Sequence, residues 1–227
     1  MLDAWERGLG RALPARALAL LAAALPETEE PALATLPLGA RNGLLLDLRE
    51  VLFGVQLNAI ADCPDCGERL ETQFPIEAIR DRAAPRPPAE IAVEIDGKAL
   101  RCRLPATTDL LAIPEGADAA KARDVLLARC VTGSPVLTPA AAAQVSNALA
   151  AADPQAAIDL ALECPACGVA FSAAFDIAGW LVAEVHAWAQ RILGEIATLA
   201  RAFGWREADV LALGAARRRA YLKLALR

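Results

Sequence analysis

Four of the six cysteines fall into two pairs with identical spacing. Cys63 and Cys66 sit in "DCPDCG", and Cys164 and Cys167 in "ECPACG". A single Cys-x-x-Cys is compatible with redox chemistry, with metal ligation or with two unrelated thiols. The flanks decide between these. Residues 57–76, "LNAIADCPDCGERLETQFPI", align without a gap on residues 158–177, "IDLALECPACGVAFSAAFDI". Leu57 matches Ile158, Asp62 matches Glu163, Leu70 matches Phe171, Phe74 matches Phe175 and Ile76 matches Ile177. The chain therefore carries an internal repeat of one hairpin.

The repeat implies a structural metal site. Zinc held by thiolates takes four ligands in a tetrahedron, and each Cys-Pro-x-Cys-Gly turn supplies two. Proline after the first cysteine presets φ. Glycine after the second permits φ > 0, so that backbone N–H groups can face the sulfurs. The expectation is one structural zinc per chain, bound by Cys63, Cys66, Cys164 and Cys167 between two hairpins related by a local pseudo-twofold. Four thiolates on one zinc leave a net charge of −2, to be offset by N–H donors or nearby cations; Arg69 is a candidate, one-sided because the second turn has Val169 in its place.

Other chemistries fit less well. A thioredoxin-like pair opens a helix after a strand, whereas both pairs here fall between strands. A catalytic zinc keeps an open position and usually has histidine or carboxylate ligands. The single histidine, His186, lies inside a helical stretch beside Trp188 and reads as packed there. No Ser-His-Asp set, P-loop or glycine-rich nucleotide fingerprint is present, so the reading is a non-enzymatic protein. Cys102 and Cys130 stand alone in apolar surroundings and read as buried thiols.

The elements that position the cysteines are mostly helical. Apolar spacing predicts helices over 2–11, 15–25 and 40–53, the last with Arg49 and Glu50 outward and Gly54 as its stop. The "PALATLP" stretch allows at most one short turn. Residues 56–61 and 69–74 form the first hairpin, and 158–163 and 169–175 the second. Between them lie a proline-rich connector (81–89), a hairpin over 90–104 turning at Asp96-Gly97, and helices over 118–131 and 139–152. Thr138 is the expected N-cap of the latter. Asp176 caps the longest helix, 177–203, whose apolar stripe runs Ile177, Leu181, Val185, Trp188, Ile192, Ile196, Leu199 and Phe203. Gly204 ends it, and two short helices follow over 206–213 and 215–225.

The fold class is thus α+β and mainly helical, a split zinc ribbon with an inserted hairpin-and-helix segment and a long C-terminal helix. The expected division is an N-terminal helical segment (1–55), the ribbon hairpins (56–80 and 156–176), the insertion (81–155) and a C-terminal helical segment (177–227).

Composition bounds the setting. Hydrophobic residues make up 56% of the chain, largely alanine and leucine, which signals helix. No apolar run approaches the roughly 18–20 residues a membrane span needs, and the chain opens with acidic residues rather than the basic start of a signal peptide. The expectation is a soluble, cytoplasmic protein, or one incorporated in an assembled particle. A net charge of −5 argues against a dedicated nucleic-acid binder. Basic residues do cluster at Arg217, Arg218, Arg219, Lys223 and Arg227. They read as a solvated helix end or as a dock for an acidic partner.

Four stretches together resemble a known family: "RALALLAAALPE", "LLLDLREVLFG" with "ADCPDCGERLE", "LALECPACGVAFSAAFDIAGWLVAEVHAWA", and the tail "LARAFGWREADVLALGAARRRAYLKL". The chain resembles the baseplate hub assembly chaperones of T-even-type phages, in the bacterial branch found with contractile-tail and injection-system genes. Residues 77–157 follow it only loosely. Phage members need not carry the cysteine pairs, so the zinc site rests on this chain's residues. The resemblance implies an accessory or structural role in building a baseplate, with hub or spike proteins as partners. Trp205 and Tyr221, beside Arg217, Arg218 and Arg219, are then the expected partner contacts, since aromatics and arginine anchor interfaces. Trp205 could equally pack on the long helix. The competing reading is a zinc-ribbon nucleic-acid-binding or transcription-associated protein; a fold does not fix its function.

Overall fold

The computed structural model describes residues 1–80, 88–95, 97–133 and 136–225. Residues 81–87 of the proline-rich connector (81–89), Asp96 and Arg227 lie outside the described residues. The described residues are mostly helical, with three small antiparallel hairpins among them.

Four helices open it: α1 (Leu2–Gly8), α2 (Leu13–Ala24), α3 (Glu30–Ala34) and α4 (Leu38–Phe53). Pro14 near the start of α2 and Gly54 at the end of α4 fit their positions; Gly54 sits at φ 87°. Strands β1 (Gln56–Asp62) and β2 (Arg69–Pro75) pair in full register, with Leu57 opposite Phe74 and Asp62 opposite Arg69. After a 3₁₀ turn come β3 (Glu90–Ile95) and β4 (Lys98–Arg103), then α5 (Thr107–Leu110), α6 (Ala119–Cys130) and α7 (Pro139–Ala152). Strands β5 (Ile158–Glu163) and β6 (Ala170–Phe175) form the second copy of the repeat, with Ile158 opposite Phe175. The chain then enters α8 (Ile177–Phe203) and ends in α9 (Glu207–Leu211) and α10 (Ala215–Ala225).

The main core joins α2 and α4, the roots of both repeat hairpins and the first half of α8. Leu21, Leu45, Leu46, Leu57, Ile76, Ile177 and Leu181 are all buried in it. Both hairpins thus grow from one apolar base, which fixes where their tips point. A second cluster packs β3 and β4 on α6 and α7 around Val93, Cys102, Leu127 and Val145. The second half of α8 holds α9 and α10 through Ile192, Leu199 and Val210.

The helix caps follow local chemistry. Asp176 accepts the Ala178 N–H at 3.0 Å, Thr138 accepts the Ala141 N–H at 3.2 Å, and Gly204 closes α8 in the left-handed region. The long helix carries the expected buried stripe, although Phe203 is 40% exposed.

Three expectations need correction, and one short helix adds to them. Arg49 faces inward, not out. It is buried and chelates Glu184 of α8 with two bonds of 3.0 Å, while donating to the Gly54 carbonyl at 2.6 Å. Amphipathic spacing placed it outside because a side chain of this length can be buried when a carboxylate on a facing helix pairs its charge. His186 is exposed on α8 rather than packed inside, and it meets Trp5 of α1; its Nδ1 accepts the Trp5 indole N–H at 3.0 Å. The first helix stops at Gly8 rather than residue 11. The short α5, which had no periodic signal, is held by Asp109, whose Oδ2 accepts the Ala106 N–H at 2.9 Å.

Hydrogen bonds tie the insertion back to α4, Asn42 Nδ2 to the Gln155 carbonyl at 2.9 Å among them. Leu38 donates its N–H to the Pro105 carbonyl at 2.9 Å, and Gly39 donates to the buried Asp153 carboxylate at 2.8 Å. The segment that leaves after the first hairpin therefore returns beside the helix that precedes it.

Candidate metal centre

Each Cys-Pro-x-Cys-Gly turn folds in the same way, because each has the same residues at the same places. In the first, the Cys63 N–H bonds the Glu68 carbonyl at 2.8 Å and the Gly67 N–H bonds the Cys63 carbonyl at 3.0 Å. In the second, the Cys164 N–H bonds the Val169 carbonyl at 2.9 Å and the Gly168 N–H bonds the Cys164 carbonyl at 2.8 Å. Gly67 and Gly168 sit at φ 74° and 75°. A Cβ would strain either turn, which explains the glycine after each second cysteine.

The two turns meet tip to tip. All four sulfurs lie within 4.8 Å of one another. The short cross-contacts are Cys63 Sγ to Cys167 Sγ at 3.7 Å and Cys66 Sγ to Cys164 Sγ at 3.6 Å. The first cysteine of one copy thus faces the second cysteine of the other, as a local twofold requires. Cys63 and Cys164 are buried over Leu70 and Phe171, while Cys66 and Cys167 face solvent.

The donor set suits a soft cation. A tetrahedron with metal–sulfur bonds of ~2.3 Å has sulfur–sulfur edges of roughly 3.8 Å, close to the two cross-contacts. The electrostatics point the same way. Backbone N–H groups, that of Cys66 foremost, bring the Cys63 thiol down to about 7 against the opposing cost of burial. Cys167 is pushed up to about 12: the Val169 N–H favours its thiolate, but burial and the Cys66, Cys164 and Cys63 sulfurs outweigh it. For Cys66 the N–H of Glu68 and the Cys167 sulfur favour the thiolate, yet Cys164, burial and Cys63 prevail and raise it. Four thiols this close cannot all ionise unless a cation shares the site.

Arg69 does not face the sulfurs. Its Nε donates to Asp62 at 3.1 Å, its partner across the strands, and both side chains are exposed. The expected cationic offset is therefore absent at this residue. The N–H groups of the turns, the other offset the sequence allows, are what favours the thiolate at Cys63, Cys66 and Cys167.

The expected partner contacts lie at the other end of α8. Trp205, Tyr221 and Phe203 form an aromatic trio with ring centroids 4.7 to 5.8 Å apart. Arg218 is half-buried and binds Glu195 at 2.8 Å. Arg217 and Arg219 point into solvent. The trio and Arg218 thus fasten α10 to α8, and the exposed arginines form the outer surface. Cys102 and Cys130 are buried, and burial foremost pushes the Cys130 thiol up to about 11. Among the described residues no helix is long and apolar enough to cross a membrane.

No curated protein and no solved structure matches the chain. A family model described as T4 bacteriophage base plate protein matches residues 18–133, from α2 through the first cysteine turn to the end of α6. The second turn and α8 lie outside that match. Residues 18–133 are just over half of the 227-residue chain, and the chain belongs to the T4 bacteriophage base plate protein family.

Proposed function

We propose that the protein is a non-enzymatic assembly factor or structural component of a phage-type baseplate, acting at the hub of a contractile tail or injection system. The family match over residues 18–133 carries this reading. Its working parts are a helical body, a metal clamp and a basic end. One structural zinc held by Cys63, Cys66, Cys164 and Cys167 would close a four-thiolate site with no position left for substrate. Its effect would be mechanical: the ion joins residues about 100 apart in sequence, so the insertion between them leaves and returns at one fixed point. The C-terminal surface around Arg217 and Arg219, braced by Trp205, Arg218 and Tyr221, would dock on another protein, with hub or spike proteins as the candidates.

Co-purification of the tagged chain with the tail proteins of the same particle tests this. Specific recovery of hub or spike components supports the reading. Recovery of nucleic acid alone, with an affinity that falls steeply with salt, would replace it by nucleic-acid binding.

A further inference from the structure

Charge is divided unevenly along the chain. Residues 1–186 carry 15 Lys and Arg against 25 Asp and Glu, a net of −10. Residues 187–227 carry 8 against 3, a net of +5. The basic part sits at the far end of α8, whose 27 residues span roughly 40 Å.

Two unpartnered surfaces belong to these opposite halves. The first is a groove of about 380 Å³ between α2 and α4. Buried Leu21 and Leu48 form its floor, and half-buried Leu25, just past the end of α2, and Leu44 and exposed Val51 of α4 form its walls. Val51 is 82% exposed there. The rim is acidic. Asp47 lines the groove and shares Arg80 with Glu50, and exposed Glu27, Glu29 and Glu30 follow Leu25. The second is the outer face of α10. Its inner face, with Tyr221 and Leu222, packs toward α8. Outward it shows Ala216, Ala220 and Leu224 at i, i+4 and i+8, all exposed, flanked by exposed Arg217, Arg219 and Lys223. A narrow apolar stripe between cations complements an apolar groove between carboxylates.

We propose that the groove between α2 and α4 receives α10 of a second copy of this chain, so that copies associate head to tail. The proposal rests on reading the C-terminal end as a protein-docking surface and names its partner. The interface is heterologous, since groove and helix are different surfaces, and repeats into a ring or an open chain of copies. Apolar contact supplies the affinity, and the charges supply register and salt dependence.

Two variants of the full metal-loaded chain test this: Val51→Lys, which places a cation in the groove, and the triple Arg217→Glu/Arg219→Glu/Lys223→Glu. Mass is read by light scattering after size exclusion, with circular dichroism and metal content checked against wild type. Wild type should grow in mass with concentration, and its association should weaken tenfold or more between about 0.05 and 0.5 M salt. Each variant alone should be monomeric. Their equimolar mixture should form a dimer, because it holds one intact groove and one intact helix that can meet. A wild type that stays monomeric at low salt, variants that still associate, or a mixture that stays monomeric each overturns the proposal. If wild type is monomeric yet the triple variant loses capture of a hub or spike protein, the docking reading stands and self-association falls.

Discussion

Phe74 and Phe175 occupy the same position in the two copies of the repeat, and their rings meet edge to face at 5.9 Å. The pair sits at the hairpin roots, as the sulfur cluster sits at the tips. The pseudo-twofold is therefore pinned at both ends, by aromatic packing below and cysteines above. Trp180 of α8 packs on Phe175 at 5.6 Å and carries the contact into the main core. Phe175→Ala should cost about 3 kcal/mol of unfolding free energy, and Phe74→Ala less because Phe74 is only half-buried. A double-mutant cycle in chemical denaturation should return a coupling of about 1 kcal/mol. Strict additivity would show that the hairpins do not support one another at their roots.

If the four cysteines bind one ion jointly, losing one sulfur from either turn should abolish binding. Cys63→Ser and Cys164→Ser should each fall from about one zinc per chain to none by elemental analysis. Chelator should lower the melting temperature of wild type and leave both variants unchanged. Cys102→Ser, in the insertion's own core, should keep its metal. Full zinc content in Cys164→Ser would show that the two turns do not share a site.

Much of this arrangement is legible in the chain because its signals are local. The hairpins follow from the repeat, α8 from its caps Asp176 and Gly204, and the cysteine turns from glycine placement. What spacing does not show are the partners that fold from elsewhere. Arg49 looks solvent-facing until Glu184 arrives from 135 residues away. Arg69 looks free for the sulfurs until the register puts Asp62 opposite it. His186 has Trp188 two positions along its own helix, whose side chains point apart at that spacing, and takes Trp5 from α1 instead. The groove along α4 hides for the same reason, since Val51 shares the apolar spacing of Leu44 and Leu48 and reads as core until the neighbouring helices leave it 82% exposed.

The link between Asp153 and Gly39 gives a prediction with a built-in control. A Cβ on Gly39 would run into the Asp153 carboxylate, so only glycine admits that side chain here. Gly39→Ala should destabilise by about 2 kcal/mol through overpacking. Asp153→Ala should cost about 1 kcal/mol, because the Gly39 N–H at the start of α4 loses its acceptor. In the Asp153→Ala background the clash is gone, so adding Gly39→Ala should cost nearly nothing further. Thermal melts of the two single variants and the double variant measure this.

Asp109 should make the protein sensitive to acid. Its carboxylate is fully buried and accepts from Arg103 at 2.6 and 2.7 Å and from Arg129 at 2.8 Å. Burial alone would raise this carboxyl, but Arg103, the Ala106 N–H and Arg129 outweigh it and hold it at about 2, below the ordinary 3.8. The folded state therefore binds its proton later than the unfolded state as pH falls. The stabilisation is complete above about pH 4 and is lost as pH drops toward 2. Because Arg103 and Arg129 are about two-fifths exposed and so screened by solvent, the loss should be near 1 kcal/mol rather than the full linkage value. Asp109→Asn should be less stable at neutral pH by about 2 kcal/mol, since it removes the negative charge and puts an NH2 donor where Oδ2 accepts from Arg103 and the Ala106 N–H, leaving Oδ1 alone to accept. Denaturant unfolding of both proteins between pH 5 and 2.5 reads the effect as a difference, so acid release of metal, common to both, cancels. The gap between them should narrow as pH falls, and a constant gap would assign the stability of α5 to packing rather than to this carboxylate.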